Sequence, residues 1–442
     1  MSGVDRVAPA RRAAYEVLRR TFEHGAWADR ALPAALERHG IREGRERNQA
    51  QRLAFGAVQR RGTSDAVAER LAGREIESLD PPVTAALRLG LFELLFSDAG
   101  ADHAAVDAAV ELAKGGMRKG GRRRASGAAG LVNAVLRRAV GERDPIAASL
   151  TDGDPDAAAV AHSVPPWLAA MWWRELGADG ARSLLRSINS PPETAMRVNT
   201  LRCDPRELCE RMASLGEPVS PASAGAELPA LPEAVVWTGP LGPAAIEALG
   251  RGEMFAQSRA AQAVVASLDP QPGERVLELC AGPGVKTTAI AARLRGQGEL
   301  IAVEADQGRA SQISELCERA GATGVSVVVG DARDSAFATG FDRVLVDPPC
   351  SDLGTLASRP DARWRKDEAA IEELASAQGA ILRAGLAALA LGGTLVYSTC
   401  TISKRENEDI AGAIASASLQ TRPDRDATDG FYIARVCQHC RG

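Results

Sequence analysis

Cysteine and histidine are scarce in this chain. Its eight cysteines and five histidines are scattered over 442 residues, too sparsely for a disulfide framework, and a reducing compartment is expected. Cys437-Gln-His-Cys440 offers two thiols at metal-ligand spacing, yet no second C-x-x-C or spaced histidine pair completes four ligands; no metal is expected. Long hydrophobic runs are absent too. Every apolar stretch is broken by Arg, Asp, Glu or Gly before the roughly 18 residues that a membrane span needs. The opening MSGVDRVAPARRAAYEV has no apolar core behind its basic residues. A secretory leader is not expected, and the cytoplasm is the expected location. No G-x-y period occurs, and 45% apolar with 25% charged residues excludes a collagen or a largely disordered chain.

The length suggests roughly three domains at about 150 residues each. Charge is unevenly divided among them: residues 1–145 carry 25 basic and 19 acidic side chains, and the remaining 297 carry 28 and 38. A basic front and an acidic rear are compatible with a nucleic-acid-binding module joined to something else.

Residues 8–141 read as successive helices. Apolar positions recur at helical spacing in Ala14, Val17, Leu18 and Phe22, again in Leu87, Leu91, Leu94 and Leu95, and again in Val106, Ala109, Val110 and Ala113. A glycine-rich break from Gly115 to Gly121 leads into Arg122-Arg123-Arg124, and the helical pattern resumes at Ala128. Arg118, Lys119, Arg122, Arg123 and Arg124 are expected as a flexible basic loop able to follow a phosphate backbone. Residues 145–165, rich in Asp, Ala and Pro, read as a linker. Residues 166–254 read as a small α/β region, in which Trp172-Trp173 is either core or a stacking surface.

After Arg275 strands and helices alternate. Strands are predicted at 275–279, 300–304, 326–330, 343–346 and 393–398, with helices at 287–294, 309–320 and 371–390. Continuous apolar runs such as Val344-Leu345-Val346 indicate strands covered on both faces. The expected architecture is an α/β doubly wound sheet over 255–442, which binds ligands beyond the carboxyl ends of its strands.

Those ends carry the chemistry. The first strand runs into Glu278-Leu-Cys-Ala-Gly-Pro-Gly-Val-Lys286. Its glycines allow close backbone approach, but the missing G-x-G-x-x-G spacing argues against a pyrophosphate and for a nucleoside cofactor without phosphates. Glu304, ending the second strand, suits ribose hydroxyls; Asp331, ending the third, suits an adenine amino group. The fourth strand ends in Asp347-Pro-Pro-Cys350 and the fifth in Ser398-Thr-Cys400, so the alternation puts two thiols and an acid on one edge. Such a pair suits cytosine C5, which attacks a methyl donor only after a thiolate has added at C6. Backbone donors near the strand end are expected to lower the pKa of the attacking thiol, and Asp347 is placed to balance charge at N3.

Cys280 through Lys286, Asp347-Pro-Pro-Cys-Ser-Asp-Leu-Gly-Thr-Leu356, Arg359-Pro-Asp-Ala-Arg-Trp364, Tyr397-Ser-Thr-Cys-Thr401 and Glu406-Asn-Glu408 resemble the RNA cytosine-C5 methyltransferases of the RsmB/Sun/NSUN group. Asn189-Ser-Pro-Pro-Glu-Thr-Ala-Met-Arg-Val-Asn199 and Asp429-Gly-Phe-Tyr432 are also similar to that group. His103–Lys114 and Gly130–Arg137 resemble a NusB-like RNA-binding domain. The fusion implies the bacterial RsmB type, whose substrate is small-subunit ribosomal RNA. The division implied is a NusB-like helical domain (1–144), a linker (145–165), an RNA-recognition-like subdomain (166–254) and a methyltransferase domain (255–442).

By the same resemblance Cys400 is the nucleophile and Cys350 the cysteine that helps release the product, a choice that spacing alone leaves open. Cys280, Ala281, Gly282, Pro283, Gly284, Val285, Lys286, Glu304, Asp331 and Asp347 fall on S-adenosylmethionine positions. Val285 and Ser258 depart from the family pattern, and Val285 is expected to crowd the cofactor or shift the turn. Nothing in the sequence demands more than a monomer. The competing readings are the same chemistry on another RNA such as transfer RNA, and a NusB-like RNA-binding or antitermination factor that has lost activity.

Overall fold

The computed structural model describes residues 6–42, 44–97, 101–117, 121–223, 228–334 and 339–437. The chain divides into two compact units, one formed by residues 1–189 with 358–365 and the other by 190–357 with 366–442.

The first unit is helical. Its helices are α1 (Pro9–His24), α2 (Ala28–Arg38), α3 (Arg45–Gln59), α4 (Arg61–Ala72), α5 (Pro81–Phe96), α6 (Asp102–Gly116), α7 (Arg122–Gly141), α8 (Arg143–Ser149), α9 (Pro155–His162) and α10 (Pro166–Ser187). The apolar stripe of α1 (Ala13, Ala14, Val17, Leu18) is wholly buried, and α5 is buried on nearly every side, with Leu87, Leu89 and Leu91 at its centre. A buried helix carrying charges needs partners for them: Arg88 makes a two-pronged bond to Asp65, and Glu93 accepts from Arg11.

Two expectations change here. Arg122, Arg123 and Arg124 form the first turn of α7 behind Gly121, which takes a φ of +91°, so the helix begins six residues before the apolar pattern resumes. The residues read as a linker contain most of α8 and all of α9; Asp154 caps the latter by accepting from the Ala157 N–H, with Pro155 at the first helical position. Helix α10 is interrupted at Gly177, whose φ is +72°. Trp172 is fully buried, as its core reading requires, and Trp173 lies under the Arg182 guanidinium.

Residues 358–365 join this unit through Arg363, which is fully buried. Its guanidinium donates to the Ser163 and Ile188 carbonyls and to the Asn189 side-chain oxygen. Trp364 donates its indole N–H to the Val58 carbonyl.

The second unit holds two sheets. The smaller is antiparallel in the order β2-β3-β1-β4, from β1 (Thr194–Val198), β2 (Val219–Pro221), β3 (Ala234–Trp237) and β4 (Met254–Ala256), with helices α11 (Pro205–Ser214) and α12 (Pro243–Gly250). The larger has the order β10-β11-β9-β8-β5-β6-β7. Its strands are β5 (Arg275–Leu279), β6 (Glu299–Glu304), β7 (Val325–Val329), β8 (Phe341–Val346), β9 (Leu389–Thr399), β10 (Ala417–Gln420) and β11 (Tyr432–Cys437). Helices α13 (Arg259–Leu268), α14 (Val285–Leu294), α15 (Gln307–Ala320) and α16 (Glu368–Ala388) connect or flank them, and α17 (Pro423–Asp426) leads into β11. Strands β5 to β9 are parallel; β10 and β11 add an antiparallel edge that the sequence pattern did not disclose.

The 189–199 motif ties the two sheets together. Arg197, fully buried on β1, donates to Gln257 and to Thr288 on α14, and Asn199 donates to the Gly252 and Ala320 carbonyls. Glu193 pairs with Arg259 at 2.5 Å.

Candidate active site

The strand order reverses beside β5, between β8 and β6, which opens a crevice beyond the carboxyl ends. After β5 the chain turns sharply. Cys280 takes a φ of +62°, and Gly284, at +105°, begins α14 with its absent Cβ only 3.0 Å from the Ile313 backbone. A side chain is therefore excluded at Gly284. Val285 occupies the first position of α14, directly after Gly284. Ser258 accepts from the Ala261 N–H and caps α13.

Glu304 is buried and accepts from the backbone N–H groups of Gly282 (2.9 Å) and Asp306 (3.0 Å). A Cβ at Gly282 would lie 2.5 Å from its carboxylate, so glycine is what lets this loop meet the acid. Each carboxylate oxygen retains acceptor capacity toward a diol. Asp331 is more open, and a hydrogen bond from Arg333, aided by that charge, holds its carboxyl down to about 2. Asp347 joins this edge from β8, accepting from Lys286 Nζ and Ser398 Oγ, each at 2.7 Å. Burial opposes the Lys286 charge, but Asp347 outweighs it and holds the ammonium above its usual range. These donors and acceptors, with no phosphate-binding glycine triplet, fit a nucleoside cofactor.

The two thiols converge. Cys350 Sγ lies 3.3 Å from Cys400 Sγ, and Cys400 Sγ lies 3.1 Å from Asp352 Oδ1; the three side chains are clustered within 4.8 Å. Asp352 holds a φ of +61°, costly for a residue with a Cβ. The expected lowering of the thiol pKa is reversed. Its hydrogen bond with Cys350, burial and the Asp352 carboxylate hold Cys400 well above the usual thiol range. For Cys350 the same thiol–thiol bond lowers the pKa, but burial and the Asp352 and Glu406 charges outweigh it. The thiol–thiol contact and burial lead for Cys400, and the carboxylates add to them.

Both thiol loops are fastened from below by Glu406, which is fully buried. It accepts from the Ser351 N–H (2.9 Å), the Ser351 hydroxyl and Gln378 Nε2 (3.0 Å), while Ser351 and Thr401 share a 2.7 Å hydrogen bond. Gly354 donates its N–H to the Cys400 carbonyl. Asp352 and Glu406 are the polar residues that sequence reasoning did not single out. Glu406 stood inside a recognised motif, but no spacing rule links it to Ser351, 55 positions away. Glu406→Ala leaves two buried loops without their shared acceptor and should cost about 3 kcal/mol or more of stability, read from the denaturation midpoint.

Glu278, also fully buried, has its pKa pushed up to about 8 because burial outweighs the nearby Lys286 charge. The unfolded chain ionises this group above about 4.3, and the folded chain only near 8. Between those values the unfolded state binds fewer protons, so this group's contribution to stability falls as pH rises. Glu278→Gln should therefore stabilise the protein by about 2–5 kcal/mol at pH 8 and hardly at all at pH 4, a difference that chemical denaturation at the two pH values measures.

Of the basic residues, Arg118 and Lys119 lie outside the described residues. Arg124 pairs with Asp80 at 2.6 Å on the surface. Cys437 ends β11, half-buried, and Cys440 lies outside the described residues.

Comparison with known proteins bears on this arrangement. Residues 8–140 match the model of the NusB family, 164–236 that of the RsmF/B-like ferredoxin-like domain, and 265–424 that of the 16S rRNA methyltransferase RsmB/F family. The probable ribosomal RNA small subunit methyltransferase B of Synechocystis sp. is 32% identical over 97% of this chain and 99% of its own length. The chain belongs to the RsmB/F methyltransferase family. Another relative, the probable ribosomal RNA small subunit methyltransferase B of Bacillus subtilis, is 28% identical over 96% of this chain and 97% of that protein. Among solved structures, PH0851 superposes with a TM-score of 0.81 at 24% identity, over 97% of this chain and 98% of that one. NSun6 from Pyrococcus horikoshii with SFG reaches 0.56 at 21% identity, over 62% and 98%. Those two likenesses concern the fold. The expected architecture of the family is present: a helical NusB-like front, a ferredoxin-like subdomain and a Rossmann-like methyltransferase sheet.

Proposed function

We propose that this RsmB-family chain methylates C5 of a cytosine in small-subunit ribosomal RNA, using S-adenosylmethionine and a covalent Cys400–C6 adduct. The observation that carries this reading is the meeting of Cys350 and Cys400, 3.3 Å apart, at the sheet edge that also holds Lys286 and Asp347. In this reading the loop from Cys280 to Lys286, Glu304, Asp331 and Asp347 hold the cofactor. When bound, that cofactor supplies an electrophilic methyl group.

Cys400 passes its proton to the Asp352 carboxylate, to which it is hydrogen-bonded, and its sulfur adds to C6 of the base. The ring, now an enamine, would be nucleophilic at C5, where the bound cofactor would supply the methyl group and keep its sulfur as a neutral thioether. Lys286 and Asp347 balance the charge that develops at N3. Cys350 assists removal of the C5 proton, the C5–C6 double bond re-forms and the C6–sulfur bond breaks, which returns Cys400. The base must leave its stack to reach the thiols.

The domain division in this reading is 1–144, 145–165, 166–254 and 255–442, with a monomer sufficient, no metal required and a cytoplasmic location. No described helix is long and apolar enough to cross a membrane.

Arg118, Lys119, Arg122, Arg123 and Arg124 contact RNA phosphates in this reading. Three arginines in the first turn of α7 oppose the helix dipole, and phosphate offsets that opposition. Changing Arg122, Arg123 and Arg124 to Gln should flatten the slope of log affinity against log salt by about 2–3 while leaving cofactor binding intact. An unchanged slope would make them a solvated helix end.

The test of the whole reading is methyl transfer from labelled S-adenosylmethionine to naked small-subunit ribosomal RNA, with 5-methylcytosine mapped at nucleotide resolution. Product at a cytosine of that RNA supports it; product on transfer RNA alone moves the substrate assignment. Cofactor binding without product on either RNA, or on assembly intermediates, would favour an RNA-binding factor.

A further inference from the structure

The helical unit contains a cleft of about 620 Å³ that is remote in sequence from the methyl-transfer chemistry. Its lining includes Arg60 from the junction of α3 and α4, Thr151 and Asp152 from the α8–α9 loop, His162 at the end of α9, and Arg186 on α10. All of these lie within the first compact unit.

Positive charge here exceeds the carboxylate available to it. Asp152 is shared by Arg186 (2.7 Å), His162 (3.1 Å) and Arg182 (3.9 Å). Arg60 is paired with no carboxylate among the described residues. Its guanidinium stacks over Phe96, 4.5 Å from the ring centroid, and makes one long hydrogen bond of 3.4 Å to the Ala161 carbonyl. Burial alone pushes Arg60 down to about 10, and Arg60 in turn lowers the buried Arg363 nearby. His162 is lowered by burial and by Arg60 and Arg186 together, despite its bond to Asp152.

A desolvated guanidinium beside other cations is costly unless an anion arrives. Arg60 retains N–H donors in the planar fork that suits phosphate oxygens. We infer that this cleft is an anion site that takes a phosphodiester of the RNA substrate, with Arg60 as its principal donor. The Phe96 face fixes the guanidinium plane, so little side-chain entropy is lost when phosphate docks. The site would grip the RNA backbone without reading its sequence.

This inference rests on the RNA substrate proposed above. It is tested on the full-length protein with three probes: inorganic phosphate, chloride at equal ionic strength, and ribosomal RNA titrated at several salt concentrations. Arg60→Gln should lower RNA affinity about tenfold and reduce the salt slope by about one. It should also erase any protection against heat denaturation that phosphate gives beyond chloride. Because Arg60 is partly buried and its loss could disturb folding, Thr151→Glu serves as a second variant that removes no buried group and places a negative charge in the cleft. It should weaken RNA binding to a similar degree with unchanged affinity for S-adenosylmethionine. Wild-type affinity and slope in both folded variants would overturn the site. Phosphate protection that depends on Arg60 while the RNA slope stays at its wild-type value would overturn the RNA assignment in favour of a free phosphate. Failure of the wild-type protein to methylate any RNA would instead overturn the wider functional reading.

Discussion

Cys400→Ala is expected to reduce 5-methylcytosine formation by at least about 1000-fold, because without the sulfur the ring never becomes nucleophilic at C5. Cys350→Ala should behave differently. Attack and methyl transfer proceed, but the C5 proton is not removed efficiently, and protein accumulates in covalent linkage to RNA. Denaturing gel electrophoresis with labelled RNA separates the two cases: no retarded band for Cys400→Ala, and a persistent band for Cys350→Ala that requires the cofactor. If the two variants exchanged these phenotypes, the assignment of nucleophile and release residue would be reversed. The 3.3 Å approach of the thiols makes that exchange a real alternative on geometry alone. Asp352 distinguishes them, since it lies 3.1 Å from Cys400 Sγ and 4.0 Å from Cys350 Sγ.

The raised pKa of Cys400 gives this experiment a second readout. A thiol held neutral by its partner thiol, by burial and by Asp352 should react slowly with iodoacetamide in the free protein. In Cys350→Ala the thiol–thiol hydrogen bond is gone, and alkylation of Cys400 should speed up at a given pH. Nothing in the sequence foretold that direction. Strand-end backbone donors suggest a lowered pKa, but what prevails is the hydrogen bond from a second thiol 50 positions away, then burial, with the Asp352 carboxylate adding to both.

What was legible follows the same division between local pattern and tertiary placement. Strands β5, β6, β8 and β9 are legible because buried parallel strands are written as unbroken apolar runs, the largely exposed β7 shows only as a run rich in valine, and the alternation of strands and helices puts Glu304, Asp331, Asp347, Cys350 and Cys400 on one edge. The antiparallel β10 was not visible: Ala417–Gln420 is short and half-exposed, with no pattern of its own. The start of α7 was missed because Arg122 to Arg124 lack apolar periodicity. Arg363 illustrates the limit most sharply. A guanidinium in a polar loop reads as solvated, yet it is the fully buried anchor of residues 358–365 in the helical unit.

Asp347→Asn carries the second large effect, and it acts on stability and turnover together. In the wild type the Asp347 carboxylate takes Lys286 on one oxygen and Ser398 on the other. Lys286, 16% exposed and set against the Phe431 ring, has no other ion-pair partner among the described residues. The amide can still accept from Ser398, but it leaves the ammonium without a counter-charge. Breaking such a pair costs about 3 kcal/mol, and turnover should fall at least about 100-fold as charge balance at N3 is lost. Lys286→Met in the same background separates the two. Removing the orphaned cation should recover most of the stability, as replacement of a buried ion pair by apolar groups often does, and should leave turnover depressed. Full recovery of activity in the double variant would show that the pair only holds the loop together. A double variant as unstable as Asp347→Asn would show that the cost lies in the Ser398 contact instead.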